Sequence, residues 1–154
     1  MKELISATAA YSAFSGDIAQ GRLSHAYMLH FKDGMNMRAV LKIFALRFFG
    51  FSEDCADGKR VLNESYSDLK IYPEDGKKFT ADSASALLAD CVLKPVEGDK
   101  KLVVVSGFEN TAPIIQNKLL KTLEEPCEGV YFLLGTTALA PVLDTVKSRV
   151  KTLT

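Results

Sequence analysis

Leu102-Val103-Val104-Val105 follows Lys101 with no polar residue between its members. A strand with one face in water alternates apolar and polar side chains. A strand without alternation is covered on both faces, as in a parallel sheet between helix layers. The rest of the chain therefore has to supply parallel partner strands and helices for both faces.

The flanking segments fit that demand. Glu3 to Gly21 reads as a helix, broken near Ser15-Gly16. His25 to Phe31 reads as a first core strand, and Lys32-Asp33-Gly34 as a turn. Val40, Leu41, Phe44, Ala45 and Phe48 recur at helical spacing within Met35 to Phe49. Gly50 to Ser67 is polar and weakly periodic and reads as a loop. Leu69 to Tyr72 is a short strand, and Thr80 to Leu93 a helix capped by Thr80 or Asp82. Thr111 to Glu125 is a helix capped by Thr111 and closed by Pro126. Val130 to Gly135 is a buried strand, Pro141 to Ser148 a short helix, and Val150 to Leu153 a last strand. Strands alternating with helices predict right-handed crossovers and one mostly parallel sheet.

Composition narrows the function. The 19 acidic and 19 basic residues cancel, which argues against a basic footprint over the whole domain. No apolar run approaches a membrane span. Cys55, Cys91 and Cys127 are far apart, and the only histidines are His25 and His30, so no metal site is expected. Lys100-Lys101 reads as a solvated strand start, and His25 as structural.

The loop after the first strand stands where a phosphate loop, GxxxxGK[ST], would stand. Its eight positions are Phe31 to Arg38, FKDGMNMR. Phe31 and Asn36 replace the two framing glycines, and only Gly34, inside the loop, remains. Met37 takes the lysine position and Arg38 the hydroxyl position. After the Leu102 to Val105 strand, magnesium chemistry wants an acidic pair; Ser106 and Gly107 stand there. Glu109, two positions further on, reads as a surface carboxylate at a helix start, with a place facing the old pocket as the alternative. Neither half of a nucleotide site keeps its chemistry, so no cofactor is expected.

Several segments carry a family resemblance: Arg22 to Leu29 (RLSHAYML), Leu93-Lys94-Pro95, Lys101 to Val105, Gln116 to Pro126 (QNKLLKTLEEP), Phe132 to Thr137 (FLLGTT) and Ser148-Arg149-Val150. The chain resembles the ATPase-fold domain of bacterial DNA polymerase III clamp-loader subunits, nearest the delta-prime branch, with gamma/tau second. Val150 stands where that family's Ser-Arg-Cys motif has its cysteine. The family's four-cysteine zinc module has no counterpart in Gly50 to Ser67.

The resemblance implies an α/β, three-layer P-loop NTPase (AAA+, RecA-like) fold with a five-stranded, mostly parallel sheet. It implies an arginine finger, Arg149, acting in a neighbour's ATP site and placed by Ser148. Gln116, Lys121 and Glu124 are expected at subunit interfaces, and Thr136 beside the decayed pocket. The implied partners are gamma/tau and delta subunits, with the sliding clamp and primed DNA reached through the assembly, in the cytoplasm. Lid and collar domains are expected beyond Thr154. An active ATPase and a purely structural scaffold are the competing classes.

Overall fold

The computed structural model describes residues 2–154. Five parallel strands form one sheet: β1 (Ala26–His30), β2 (Leu69–Tyr72), β3 (Lys101–Ser106), β4 (Val130–Thr136) and β5 (Lys151–Leu153), in the order β2-β3-β4-β1-β5. Their carboxyl ends share one edge of the sheet, and their amino ends share the other. The candidate site divides along these two edges.

The unbroken apolar run of β3 behaves as its composition requires. Leu102 and Val104 enter one core with Tyr27, Leu29 and Leu133, while Val103 and Val105 enter the opposite core with Met28, Phe132 and Leu134. The first core is closed by α1 (Lys2–Ser6), α2 (Ala9–Ala19), α3 (Met37–Phe49) and α4 (Ala56–Leu62). The second is closed by α5 (Ala81–Cys91), α6 (Pro113–Glu124) and α7 (Asp144–Lys147). Edge strand β5 is held by more than its ladder. Lys151 Nζ donates to the Asp17 carboxylate at 2.6 Å, and the Tyr27 hydroxyl donates to it at 2.7 Å.

Several local expectations are corrected. The first helix breaks at Thr8, whose hydroxyl donates to Ile5 O at 2.7 Å and accepts from Tyr11 N at 3.2 Å. Ser15 and Gly16 lie inside α2, where the packing of Phe14 against Tyr27 and Phe44 offsets the weak helix former. Gly50 to Ser67 is not all loop. It contains α4, capped by Cys55 Sγ accepting from Gly58 N at 3.2 Å. Gly58 is required there, since a Cβ would meet Ser52 O at 1.8 Å.

Thr111 does not cap α6. Ala112 holds the cap position, with Pro113 beginning the helix, after a single 3-10 turn at Phe108–Asn110. Lys101 is not solvated. It is 3% exposed, and its ammonium donates to Asp90 O at 2.7 Å at the carbonyl end of α5. Lys100 lies over the Phe48 ring and donates to Phe48 O at 2.7 Å.

Candidate functional site

The carboxyl edge holds the loop between β1 and α3. Phe31 N donates to Thr136 O at 3.0 Å, which seats the loop beside the end of β4. At the lysine position of a phosphate loop, Met37 is 2% exposed and turned into the core. Gly135 of β4 makes room for it: a Cβ there would meet Met37 Sδ at 2.8 Å and Leu41 Cδ1 at 2.9 Å. A side chain in that slot points under the sheet, away from any phosphate above the loop.

Arg38 is committed elsewhere. Its guanidinium pairs with the Glu64 carboxylate and donates to Pro73 O at 2.8 Å. Lys42 joins Glu64 at 2.9 Å. The two cations hold the Glu64 carboxyl at about 2, well below its ordinary value, with the Arg38 hydrogen bond as the largest cause. The loop also carries its own anion. The Asp33 carboxylate accepts from Asn36 N at 3.2 Å and from the Asn36 amide, which lowers its pKa. An amide that would face phosphate is thus already bonded to a carboxylate.

The neighbouring strand ends tell the same story. Ser106 pairs with Gly135 in the ladder, and Gly107, at φ 80°, donates to Gly135 O at 3.0 Å. Glu109 is half-buried, contrary to the surface expectation. Its Oε1 accepts from Thr137 N at 2.9 Å, tying the turn after β3 to the end of β4. Thr136 is fully buried, and its hydroxyl donates to Ala138 O at 2.7 Å, so it serves the backbone. Gly34 is exposed beside Thr137, whose methyl would lie 3.3 Å from a Cβ. No cluster of three or more His, Cys, Asp or Glu able to hold a metal occurs among the described residues. Burial pushes the Cys91 thiol up to about 12, far from nucleophilic use.

Arg149 lies at the opposite edge. It precedes β5, which runs parallel to β1, so it sits at the amino edge while the loop after β1 sits at the carboxyl edge. Helix α6 starts past the carboxyl end of β3 and finishes before the amino end of β4, which brings Glu124 to the same place. Arg149 Nη2 and Nε donate to Glu124 Oε1 at 3.0 and 3.2 Å, and Nη1 donates to Ser148 Oγ at 2.8 Å. Arg149 and Glu124 are 43% and 45% exposed, so the pair is weak. Lys121 is exposed on the last turn of α6.

Gln116 departs from the expectation of a surface role. It is fully buried, its amide donates to Thr111 O at 2.9 Å and Pro141 O at 3.0 Å, and it accepts from Leu143 N at 2.9 Å. It clips the start of α6 to the segment before α7 and belongs to the interior. Sequence reasoning missed Asp33 and Glu64 as residues that shape the loop. Asp33 three residues before Asn36, in a turn, was a readable signal. Glu64 lies 26 positions from Arg38 and left none.

A five-stranded parallel sheet in this order, with a loop joining β1 to α3 beside the ends of β3 and β4, is the P-loop NTPase fold in its AAA+ form. Within that class, the chain belongs to the DNA polymerase III delta subunit family, which matches residues 6–154. The DNA polymerase III subunit delta' of Bacillus subtilis is 31% identical over 142 residues, covering 88% of this chain and 43% of that protein. The tau/gamma subunit of Haemophilus influenzae is 28% identical over 145 residues, covering 90% of this chain and 21% of that protein.

Among solved structures, a gamma subunit-related protein from Thermotoga maritima aligns with a TM-score of 0.71 at 20% identity, over 95% of this chain and 45% of that one. The Bacillus subtilis clamp loader delta protein aligns with a TM-score of 0.59 at 14% identity, over 94% of this chain and 41% of that one. Both structural likenesses concern the fold alone. The chain spans less than half the length of the relatives it matches.

Proposed function

We propose that this chain is the ATPase-fold domain of a clamp-loader subunit that does not hydrolyse ATP and that completes a neighbour's ATP site with Arg149. It assembles with gamma/tau and delta subunits, and through them serves the loading of the sliding clamp onto primed DNA in the cytoplasm. The observation that carries this reading is the contrast between the two edges. At the carboxyl edge Met37 is buried, Arg38 is paired and Asp33 occupies a loop amide. At the amino edge Arg149 is exposed and held only by an exposed carboxylate and a hydroxyl.

The chemistry follows from those partners. A γ-phosphate offers a guanidinium more charge and better fork geometry than the single Glu124 oxygen it now contacts. Moving from Glu124 to phosphate exchanges a screened surface pair for one shielded between subunits. The guanidinium then neutralises charge that builds on the transferring phosphoryl group. Ser148 steadies the free arm of the fork.

The test is turnover of a reconstituted loader built with the full-length subunit. Arg149→Ala is expected to lower clamp-stimulated ATPase by at least about tenfold, a floor set below the roughly thousandfold effect of a single arginine finger because other sites of the assembly keep their own. Arg149→Lys is expected to restore little, because the ammonium lacks the fork. Undiminished turnover in Arg149→Ala, or tight magnesium-dependent ATP binding at the loop after β1, overturns the reading.

A further inference from the structure

The described residues leave six large apolar side chains strongly exposed, and three of them fall within one short turn: Val92, Leu93 and Val96, at 70%, 56% and 80%. The turn joins α5 to β3 and is held on three sides. Asp68, fully buried, accepts from the amides of Val96 at 2.7 Å, Glu97 at 2.9 Å and Gly98 at 2.9 Å. The buried Lys101 ammonium donates to Asp90 O at 2.7 Å and Leu93 O at 3.4 Å. Pro95 packs on Gly129, where a Cβ would meet its Cγ at 3.1 Å.

Two buried charges thus fix a turn that leaves the side chains of Val92, Leu93 and Val96 largely in solvent. Polar residues at these positions would satisfy the same backbone bonds. Rigid exposed apolar residues of this kind mark contact surfaces.

The place of the turn suggests what covers it. It precedes β3, so it lies on the amino edge with Glu124, Ser148 and Arg149. β3 and β5 are separated by β4 and β1, which puts these two strands about 14 Å apart along the edge at the usual strand spacing. A standard interface covers about 800 Å² per partner, roughly 30 Å across, and spans both. The side chains that Arg149 contacts, Glu124 and Ser148, are polar, as in an interface rim, whereas stable interfaces have an apolar centre.

We propose that Val92, Leu93 and Val96 are the apolar anchor of the contact through which Arg149 reaches its neighbour. The occupant is the nucleotide-bearing face of an adjoining ATPase-fold subunit. This inference rests on the proposed function. The anchor supplies affinity and the arginine supplies turnover.

The two are separable in the full-length subunit titrated into an ATP-hydrolysing gamma/tau subunit, with assembly read by sedimentation and turnover by ATPase. Leu93→Asp with Val96→Asp is expected to weaken assembly at least tenfold, with turnover recovering at saturating subunit. The milder Leu93→Ser with Val96→Ser, checked for an unchanged thermal midpoint, is expected to shift assembly in the same direction. Arg149→Ala is expected to do the reverse, leaving assembly within about threefold while turnover falls. Unaltered assembly by folded variants of the turn overturns the anchor and leaves the arginine reading standing. Loss of self-association with normal assembly overturns it too, by making a second copy the occupant. If Arg149→Ala also has no effect, both readings fail.

Discussion

At the residue scale, Met37 shows how the position that a phosphate loop gives to lysine is built into the core. Its sulfur and Leu41 fill the space that Gly135 opens in β4. A lysine in that slot is therefore expected to face apolar groups and to create no phosphate site. Met37→Lys would place an ammonium at a position 2% exposed among apolar groups. The expected result is a loss of about 2–4 kcal/mol in chemical denaturation, with no gain in ATP affinity by calorimetry. Gln116 makes the complementary case. Gln116→Ala removes three hydrogen bonds, one buried and two partly buried, and strands the Leu143 amide. It should cost about 2–3 kcal/mol in the same measurement. Assembly with partner subunits should stay intact once the variant is folded. A specific assembly defect without lost stability would return Gln116 to the interface.

At the element scale, the cluster of Arg38, Lys42 and Glu64 joins α3 to the segment between α4 and β2, and it gives the acid limb of stability a testable shape. Glu64 is held at about 2 against an ordinary 4.5. A carboxyl depressed by folding stabilises fully above its unfolded value and loses that contribution as pH falls through the folded one. The Glu64 contribution is thus complete above about pH 4.5 and gone near pH 2. Glu64→Gln should lower stability at neutral pH by about 1–3 kcal/mol, since Arg38 loses its partner while mostly buried. Urea midpoints of the two proteins should converge as pH falls toward 2. Parallel curves would show that Glu64 titrates normally in the fold.

Such clusters also mark the limit of what periodicity reveals. Strands β1 to β5 and helices α3, α5 and α6 were legible because apolar spacing reports burial directly. Helix α4 was not. Only Gly58 and Val61 turn inward, and its cap is a cysteine. Lys101 was misread because an isolated lysine carries no sign that helix carbonyls will surround it. The loop's departure from the phosphate-loop pattern was legible in its residue types, whereas the partners that occupy Arg38 and Asp33 come from long-range folding and local turn geometry.

At the scale of the whole molecule, the parallel sheet sets the loop after β1 and Arg149 at opposite ends of its strands. At one edge Met37 is buried, Glu64 pairs with Arg38 and Asp33 accepts from Asn36; at the other Arg149 stands exposed against Glu124. That arrangement makes a prediction whose sign depends on what Glu124 does. If Glu124 holds the guanidinium in reserve, each engagement with a neighbour's phosphate must first break the exposed pair. Pairs with this exposure are worth at most about 1 kcal/mol, which caps the effect of removing the carboxylate at about fivefold. Glu124→Gln keeps the side-chain shape and removes the charge. In the assembled loader it should raise clamp-stimulated ATPase by up to about fivefold at low ATP, with the difference shrinking as ATP saturates. The same change should leave Arg149→Ala loaders unaffected, because there is no longer an arginine to release. A fall in turnover on Glu124→Gln would reverse the assignment, making the carboxylate the group that aims the arginine across the interface.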